Sequence, residues 1–306
     1  MIISKDTKKL GPKYNPDPDV LTQTPNAVMS TRTVVFMRHG ESDWNDIFNK
    51  GFGPSMIVRL IKGFIRETLL LITMDSVFLD SNLNEDGFKQ AKELDIYLSK
   101  KASQSDAADS PYLTQLYAVI GGHSGSSVVV SSNLRRAIAT TTVAMWHRVR
   151  RTGEKIHILS NLQEISRNID TKALAPRGTV PDLHVIGEHC ESFDPTAIYD
   201  VSENLGNKTS YFNGVKRLKA FNDWIFKRSE ETIIVGGHSL WFKHYFQMFL
   251  PHSSDHPGKT MKIENTGMVA LTVQRWSDPT SGALLGYRVD PTSIQVVYRG
   301  FMTKNK

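Results

Sequence analysis

Val34-Val35-Phe36-Met37-Arg38-His39-Gly40-Glu41-Ser42 joins four β-favouring residues to a polar turn, and that junction decides the fold class. A short apolar run closed by a glycine-bearing turn reads as a buried strand ending in a functional loop. The pattern recurs twice. Val128-Val129-Val130 reads as a strand leading through Ser131 to a helix over 133–149 with Ser132 as its cap. Thr232-Ile233-Ile234-Val235 ends at Gly236-Gly237-His238, and a helix starts after Ser239. Between these units, Asn84 opens a helix carrying Phe88, Ala91, Leu94, Ile96, Tyr97 and Leu98. Ile156–Leu159 gives another strand, and Val215, Leu218, Phe221, Trp224 and Ile225 predict a helix over 213–228. Apolar runs at 267–274 and 292–299 add edge or returning strands. Strands alternating with helices predict an α/β fold, a three-layer αβα sandwich with a mainly parallel central sheet, with ligands beyond the carboxyl ends of its strands.

With 306 residues, 40% of them apolar and 22% charged, the chain can build one core that carries insertions. A single domain is expected over 31–306. Residues 1–30 hold Pro12, Pro16, Pro18 and Pro25 and no apolar run, so they read as a flexible tail without a secretory signal. Segments at 50–79 and 165–211 and a Ser/Ala-rich loop at 99–127 look inserted. Cys190 is the only cysteine, which excludes an internal disulfide and a thiolate metal cluster, and a reducing, cytoplasmic setting is expected. The net charge of +6 favours anionic partners. Its basic residues are scattered, and no zinc-finger, RNA-recognition or basic-zipper pattern occurs, so nucleic acid is not an expected partner. Residues 56–72 are mostly apolar with Arg59, Lys62 and Arg66 on one helical side. They read as a lid packed on the core or as a helix meeting a membrane surface or protein partner, too charged to span a bilayer. No pattern specifies an oligomeric state.

After the first strand, Arg38 and His39 can converge with backbone amides on one small anion, and Gly40 lets the backbone come close. Asn45 can return an amide to the same pocket. Arg136 stands where the second strand meets a helix N-terminus, a second clamp for an anion. Arg135 reads as a solvated helix-face residue. His238 completes the set, while Gly122-His123-Ser124 is followed by loop composition and is set aside.

Taken in order, Arg38-His39-Gly40-Glu41-Ser42 with Asn45, Leu83-Asn84-Glu85-Asp86-Gly87 with Gln90-Ala91, Ser132-x-Leu134-x-Arg136-Ala137, Glu164 and Gly237-His238-Ser239 resemble the histidine phosphatase superfamily, which includes the cofactor-dependent phosphoglycerate mutases. The likeness runs from about residue 33 to 250 and leaves the insertions unmatched. It implies His39 as nucleophile, Arg38, Arg136 and His238 as the phosphate pocket, and Glu164 as proton donor, with Glu188 and Glu191 as competitors for that role. Asn45, Ser42 and Ser239 are assigned to substrate binding. No cofactor and no metal is expected. The mutase pattern is broken at Ile47-Phe48-Asn49-Lys50, Glu164-Ile165-Ser166-Arg167 and His238-Ser239-Leu240. Hydrolysis of a phosphate monoester through phosphohistidine is therefore expected, ahead of a phosphoglycerate mutase-type transfer or a non-catalytic scaffold using 56–72.

Overall fold

The computed structural model describes residues 15–49, 53–70, 76–104, 106, 108–208 and 214–303. Its elements in chain order are β1 (Val28–Arg38), α1 (Asp43–Asn49), α2 (Pro54–Leu70), α3 (Glu85–Ser103), α4 (Pro111–Ile120), β2 (Ser127–Ser132), α5 (Arg135–Ala144), α6 (Trp146–Thr152), β3 (Ile156–Leu159), α7 (His184–Gly187), α8 (Pro195–Ile198), β4 (Tyr199–Asp200), α9 (Gly214–Ile225), β5 (Thr232–Gly237), α10 (Ser239–Phe249), β6 (Met268–Ser277), β7 (Leu284–Val289) and β8 (Gln295–Tyr298). The sheet runs β4-β3-β2-β5-β1-β6-β7, with β8 also paired to β6. From β4 to β1 every pairing is parallel. β6 returns antiparallel to β1, and β7 and β8 share its far edge.

Alternation along β1 explains the three layers, because successive side chains of a strand point to opposite faces. Val35 and Met37 join one core with Leu94 of α3, Ile120 of α4 and Ile138 of α5. Val34 and Phe36 join the other with Phe221 of α9 and Trp241, Phe242 and Tyr245 of α10. Both faces are buried, so the central strands carry continuous apolar runs. Phe36 stacks on Phe242 with centroids 4.4 Å apart and meets Tyr245 edge-on at 5.1 Å. Gly236 admits α5 at close range: a Cβ there would lie 1.7 Å from the Thr141 hydroxyl.

Several expectations change. Only residues 1–14 of the expected tail lie outside the described residues. From Asn15 onward the chain is docked: the Asn15 amide donates to Met248 O at 2.9 Å, Asp17 accepts from the His252 amide at 3.1 Å, and Asp19 pairs with Arg288 at 3.0 Å. Polar anchors of this kind leave no apolar signature. The stretch 99–127 is no continuous loop, since α3 reaches Ser103 and α4 starts at Pro111, with the Ser110 hydroxyl accepting from the Leu113 amide. Ser-Pro at a helix start is the signal that the Ser/Ala content masked. The helix over 133–149 breaks at Met145 into α5 and α6, and its cap position is Leu134, with no side-chain cap bond.

Arg135 also departs from expectation. It is buried, and its guanidinium donates to the carbonyls of Asp80 at 2.7 Å and Ser76 at 2.6 Å. The reason lies in the preceding turn, where Asp80 has φ 49° and aims carbonyls inward. Buried carbonyls need donors, and Arg135 supplies them. The Asp80 carboxylate accepts in turn from the amides of Arg135 at 2.9 Å and Leu174 at 3.0 Å, and burial pushes its pKa up to about 6. The Asp80 side chain, just past the 50–79 stretch, thus joins α5 to the 165–211 stretch.

Phe36 sits where β1 meets four aromatic rings of α10. Phe36→Ala is expected to lower unfolding free energy by about 3–5 kcal/mol in urea titration, and a loss below about 1 kcal/mol would contradict this packing.

Candidate active site

Parallel register brings the three motifs to one edge. Arg38 pairs with Gly237 and Ser131 with Gly236, so β1, β5 and β2 end side by side. The His39 amide continues the ladder by donating to Gly237 O at 3.0 Å. Beyond the edge, the rings of His39 and His238 lie 5.2 Å apart between centroids. Gly40 packs against Gly87 in the first turn of α3, where a Cβ on Gly40 would lie 2.7 Å from Gly87 O. The Gly40 amide donates to the Thr140 hydroxyl at 2.9 Å, and the Glu41 amide donates to Gln90 at 3.0 Å. The loop after β1 is held on every side.

His39 has a defined tautomer. Its Nδ1 lies 2.7 Å from Gly40 O; a carbonyl only accepts, so Nδ1 carries the proton and Nε2 keeps a lone pair. Burial, then Arg136 and Arg38, hold the ring well below the usual histidine range. His238 is likewise depressed, by burial first and then by Arg136 and His39. Its Nε2 is 2.8 Å from the Ser132 hydroxyl, while its Nδ1 is buried without a partner. Ser132 therefore serves His238 rather than capping a helix.

Cations dominate the surroundings. Arg38 donates to Ile263 O at 2.7 Å, leaves its Nε unpartnered, and is brought down to about 10 by burial. Arg136 donates to Asp170 O at 2.6 Å and lies 3.3 Å from that residue's carboxylate. Glu164 is anchored by backbone amides: Trp241 and Ile165 donate to one oxygen at 2.8 Å each, and Leu240 donates to the other at 3.2 Å. Its carboxylate thus sits in the first turn of α10, one residue past Ser239. Glu191 is surface-exposed and pairs with Arg150 at 3.3 Å, and Glu188 is also exposed. Glu164 acts on Arg38 more strongly than Glu264 and Glu41 do.

Three further cations escaped the sequence reading. Lys208 donates to Glu164 O, Ser166 O and the Thr171 hydroxyl, all at 2.8 Å. Burial, reinforced by Arg217, pushes its pKa down to about 7. Arg217 donates to Gln163 O and is brought to about 10 by burial. Lys262 acts on both Arg38 and His39. Lys208 and Lys262 sit in segments without periodicity, while Arg217 is one polar residue among many on α9. Thr140 carried a usable signal, four residues beyond Arg136 on the same helical face.

The assigned substrate contacts lie in the turns next to the two histidines. Ser42 is buried and accepts from the Asn45 amide at 3.3 Å, closing the first turn of α1. Ser239 is the buried first residue of α10. His123 is exposed and lines a cavity of about 370 Å³ with Asp95, Trp146 and His147 that contains no residue of the motif cluster.

Four carboxylates, Glu164, Asp170, Glu264 and Glu41, act on the guanidinium and ammonium groups of Arg38, Arg136, Lys208, Arg217 and Lys262. With both imidazoles neutral, these cations lie beside two unpartnered buried nitrogens, on Arg38 and His238, and one unpartnered oxygen, on Asp170. Unpaired buried polar atoms cost about 1–3 kcal/mol each. A small polyanion can accept from both nitrogens.

The depressed histidine pKa has a thermodynamic sign. A histidine held neutral in the fold contributes stability that is present above the unfolded value near 6.5 and is lost as pH falls. Wild-type stability relative to His238→Asn is expected to drop by about 1 kcal/mol between roughly pH 7.5 and 5.5 in urea titrations without phosphate. Asp80 and Asp170, raised by burial, act with the opposite sign and cancel in the difference. A difference flat across that range would show His238 to be solvated.

No family model and no curated protein matches the chain. Among solved structures, a phosphoserine phosphatase variant from Entamoeba histolytica in complex with phosphoserine is 14% identical, with 84% of this chain and 96% of that chain covered at a TM-score of 0.37. A mycobacterial glucosyl-3-phosphoglycerate phosphatase in complex with VO3 is 15% identical, with 85% and 97% covered at a TM-score of 0.39.

Proposed function

We propose that this chain is a phosphatase of the histidine phosphatase type, hydrolysing phosphate monoesters through a phosphohistidine on His39. The observation that carries the reading is the locked tautomer of His39: the Nδ1 proton is committed to Gly40 O, which leaves Nε2 as the nucleophile. Nearby positive charge and burial keep that nitrogen unprotonated near neutral pH. The guanidiniums of Arg38 and Arg136 balance the equatorial oxygens of the transferring phosphoryl group, so charge is stabilised by fixed protein donors. When the Ser132 hydroxyl donates to Nε2 of His238, its Nδ1–H is free to donate to the same group.

The reaction has two displacements. The Nε2 lone pair of His39 attacks phosphorus, the phosphorus–oxygen bond to the alcohol breaks, and the leaving alkoxide takes a proton from the Glu164 carboxyl. Water then attacks the phosphohistidine and gives a proton to the Glu164 carboxylate. The nitrogen–phosphorus bond breaks, and phosphate departs with the enzyme restored. Backbone amides from α10 and Ile165 fix Glu164 in place for both steps. The broken mutase pattern after Glu164 and His238 favours water over a second alcohol as acceptor.

Incubation with a monophosphate ester in the presence of a chelator is expected to release inorganic phosphate steadily. Isomerisation requiring a bisphosphate would point to a mutase instead. His39→Ala is expected to lower turnover by at least about 10³-fold and to abolish acid-labile labelling; retained activity removes His39 from the reaction. Glu164→Gln separates the half-reactions. With p-nitrophenyl phosphate, whose leaving group needs no proton, phosphoenzyme is expected to accumulate in this variant while steady turnover falls about 10²–10⁴-fold. Unchanged breakdown of the phosphoenzyme would transfer the base role elsewhere.

A further inference from the structure

α2 exposes what most helices bury. Ile57 (62%), Val58 (53%), Ile61 (53%), Phe64 (57%), Ile65 (56%) and Leu69 (71%) all remain more than half exposed. At about 100° per residue they occupy one continuous face roughly 140° wide. The opposite side holds the helix to the protein. Gly63 is its one buried residue, tucked against Ile47 and Phe78, and the Glu67 carboxylate accepts from the Ser76 hydroxyl and the Val77 amide at 2.7 Å each. Arg66 pairs with Asp43 at 2.9 Å. The apolar face is thus fixed outward by anchors on the inward side and is not a lid lying on the core.

The charges beside that face select its occupant. Lys62, Arg66 and Arg59 follow in angular order along one border of the apolar strip, while Glu67, the only acidic residue of α2, is turned inward. An exposed apolar patch of this size marks an interaction surface. Arg66 is compensated by Asp43, which leaves exposed Lys62 at the edge of the apolar strip with no acid on the outward side of α2; a lysine there suits a negatively charged plane, its stem reaching along the apolar side chains that enter the acyl boundary. A second copy of the same helix would bring like charges together along the contact. No helix among the described residues is long and apolar enough to cross a membrane, so the fitting geometry is a helix lying in the interface.

We propose that α2 docks the protein onto the surface of an anionic lipid bilayer, with Ile57, Ile61, Phe64 and Ile65 inserted and Lys62 facing the headgroups. The proposal is independent of the phosphatase reading, because binding rather than turnover tests it. α1 packs beside α2 and directly follows the Arg38–Ser42 loop.

The test is flotation of the full chain with phosphatidylcholine vesicles, with and without phosphatidylserine. Binding to the phosphatidylserine vesicles is expected, weakened by salt. Ile61→Asp/Ile65→Asp is expected to lower the partition constant at least about tenfold, and Lys62→Glu about fivefold or more. These side chains are exposed already, so unchanged far-UV circular dichroism verifies that the variants fold. Absence of flotation overturns the proposal, as does flotation insensitive to Ile61→Asp/Ile65→Asp. A concentration-dependent dimer that this double substitution dissolves, without lipid binding, would assign the face to a second copy instead.

Discussion

Side-by-side parallel pairing of β1, β5 and β2 is the constraint on which the site depends. Parallel strands end on the same side of a sheet, and a helix begins after each crossover, so backbone amides and side chains just past the strands share one edge. In this chain the pairings Arg38–Gly237 and Ser131–Gly236 set the level of that edge. A shift of β5 by one residue would turn its side chains to the opposite face and separate His238 from His39. Cores on both faces, built around Val35 and Met37 on one side and Val34 and Phe36 on the other, forbid such a shift. The packing of apolar residues thereby sets the spacing of two imidazoles.

Gathering cations at that edge works against folding, since burial disfavours every charged form involved. Arg38, Lys208 and Arg217 are all pulled down by burial, and Glu164 only partly offsets this. The carbonyls of Ile263, Asp170, Glu164, Ser166 and Gln163 take up the donors. What remains are buried nitrogens of Arg38 and His238 without a partner, and under the proposed function a bound phosphoryl group would accept from them and offset part of that cost.

Much of this was legible in the primary structure because it rests on local rules. Short β-branched runs ending in glycine or arginine-histidine announce strands, and the helical spacing of Val215, Leu218, Phe221 and Ile225 announces α9. Arg38, His39, Arg136 and His238 stand at or just beyond strand ends, where the order of strands and helices brings them to one edge, whereas Glu164 is picked out by the family resemblance over Glu188 and Glu191. The illegible parts depend on long-range polar partners. Arg135 looks solvated until the left-handed turn at Asp80 presents carbonyls to it, and Ser132 looks like a cap until His238 arrives from over a hundred residues away. Lys208 has no neighbour pattern because its three acceptors lie 37 to 44 residues before it in the chain. Asn15 to Asp19 dock through single hydrogen bonds and one ion pair, which composition cannot register.

Asp80 joins segments that would otherwise vary separately. Its carboxylate accepts from the amides of Arg135 and Leu174, while the Arg135 guanidinium donates to the carbonyls of Ser76, Leu79 and Asp80, so the two insertions bordering the site meet on the same pair of residues. A transplanted 165–211 segment that does not present the Leu174 amide would leave one oxygen of a buried acid without its donor, and a transplanted 50–79 segment that moves the carbonyls of Ser76 and Leu79 would strand the Arg135 guanidinium. Loop swapping to alter selectivity has to move these contacts as one inherited unit.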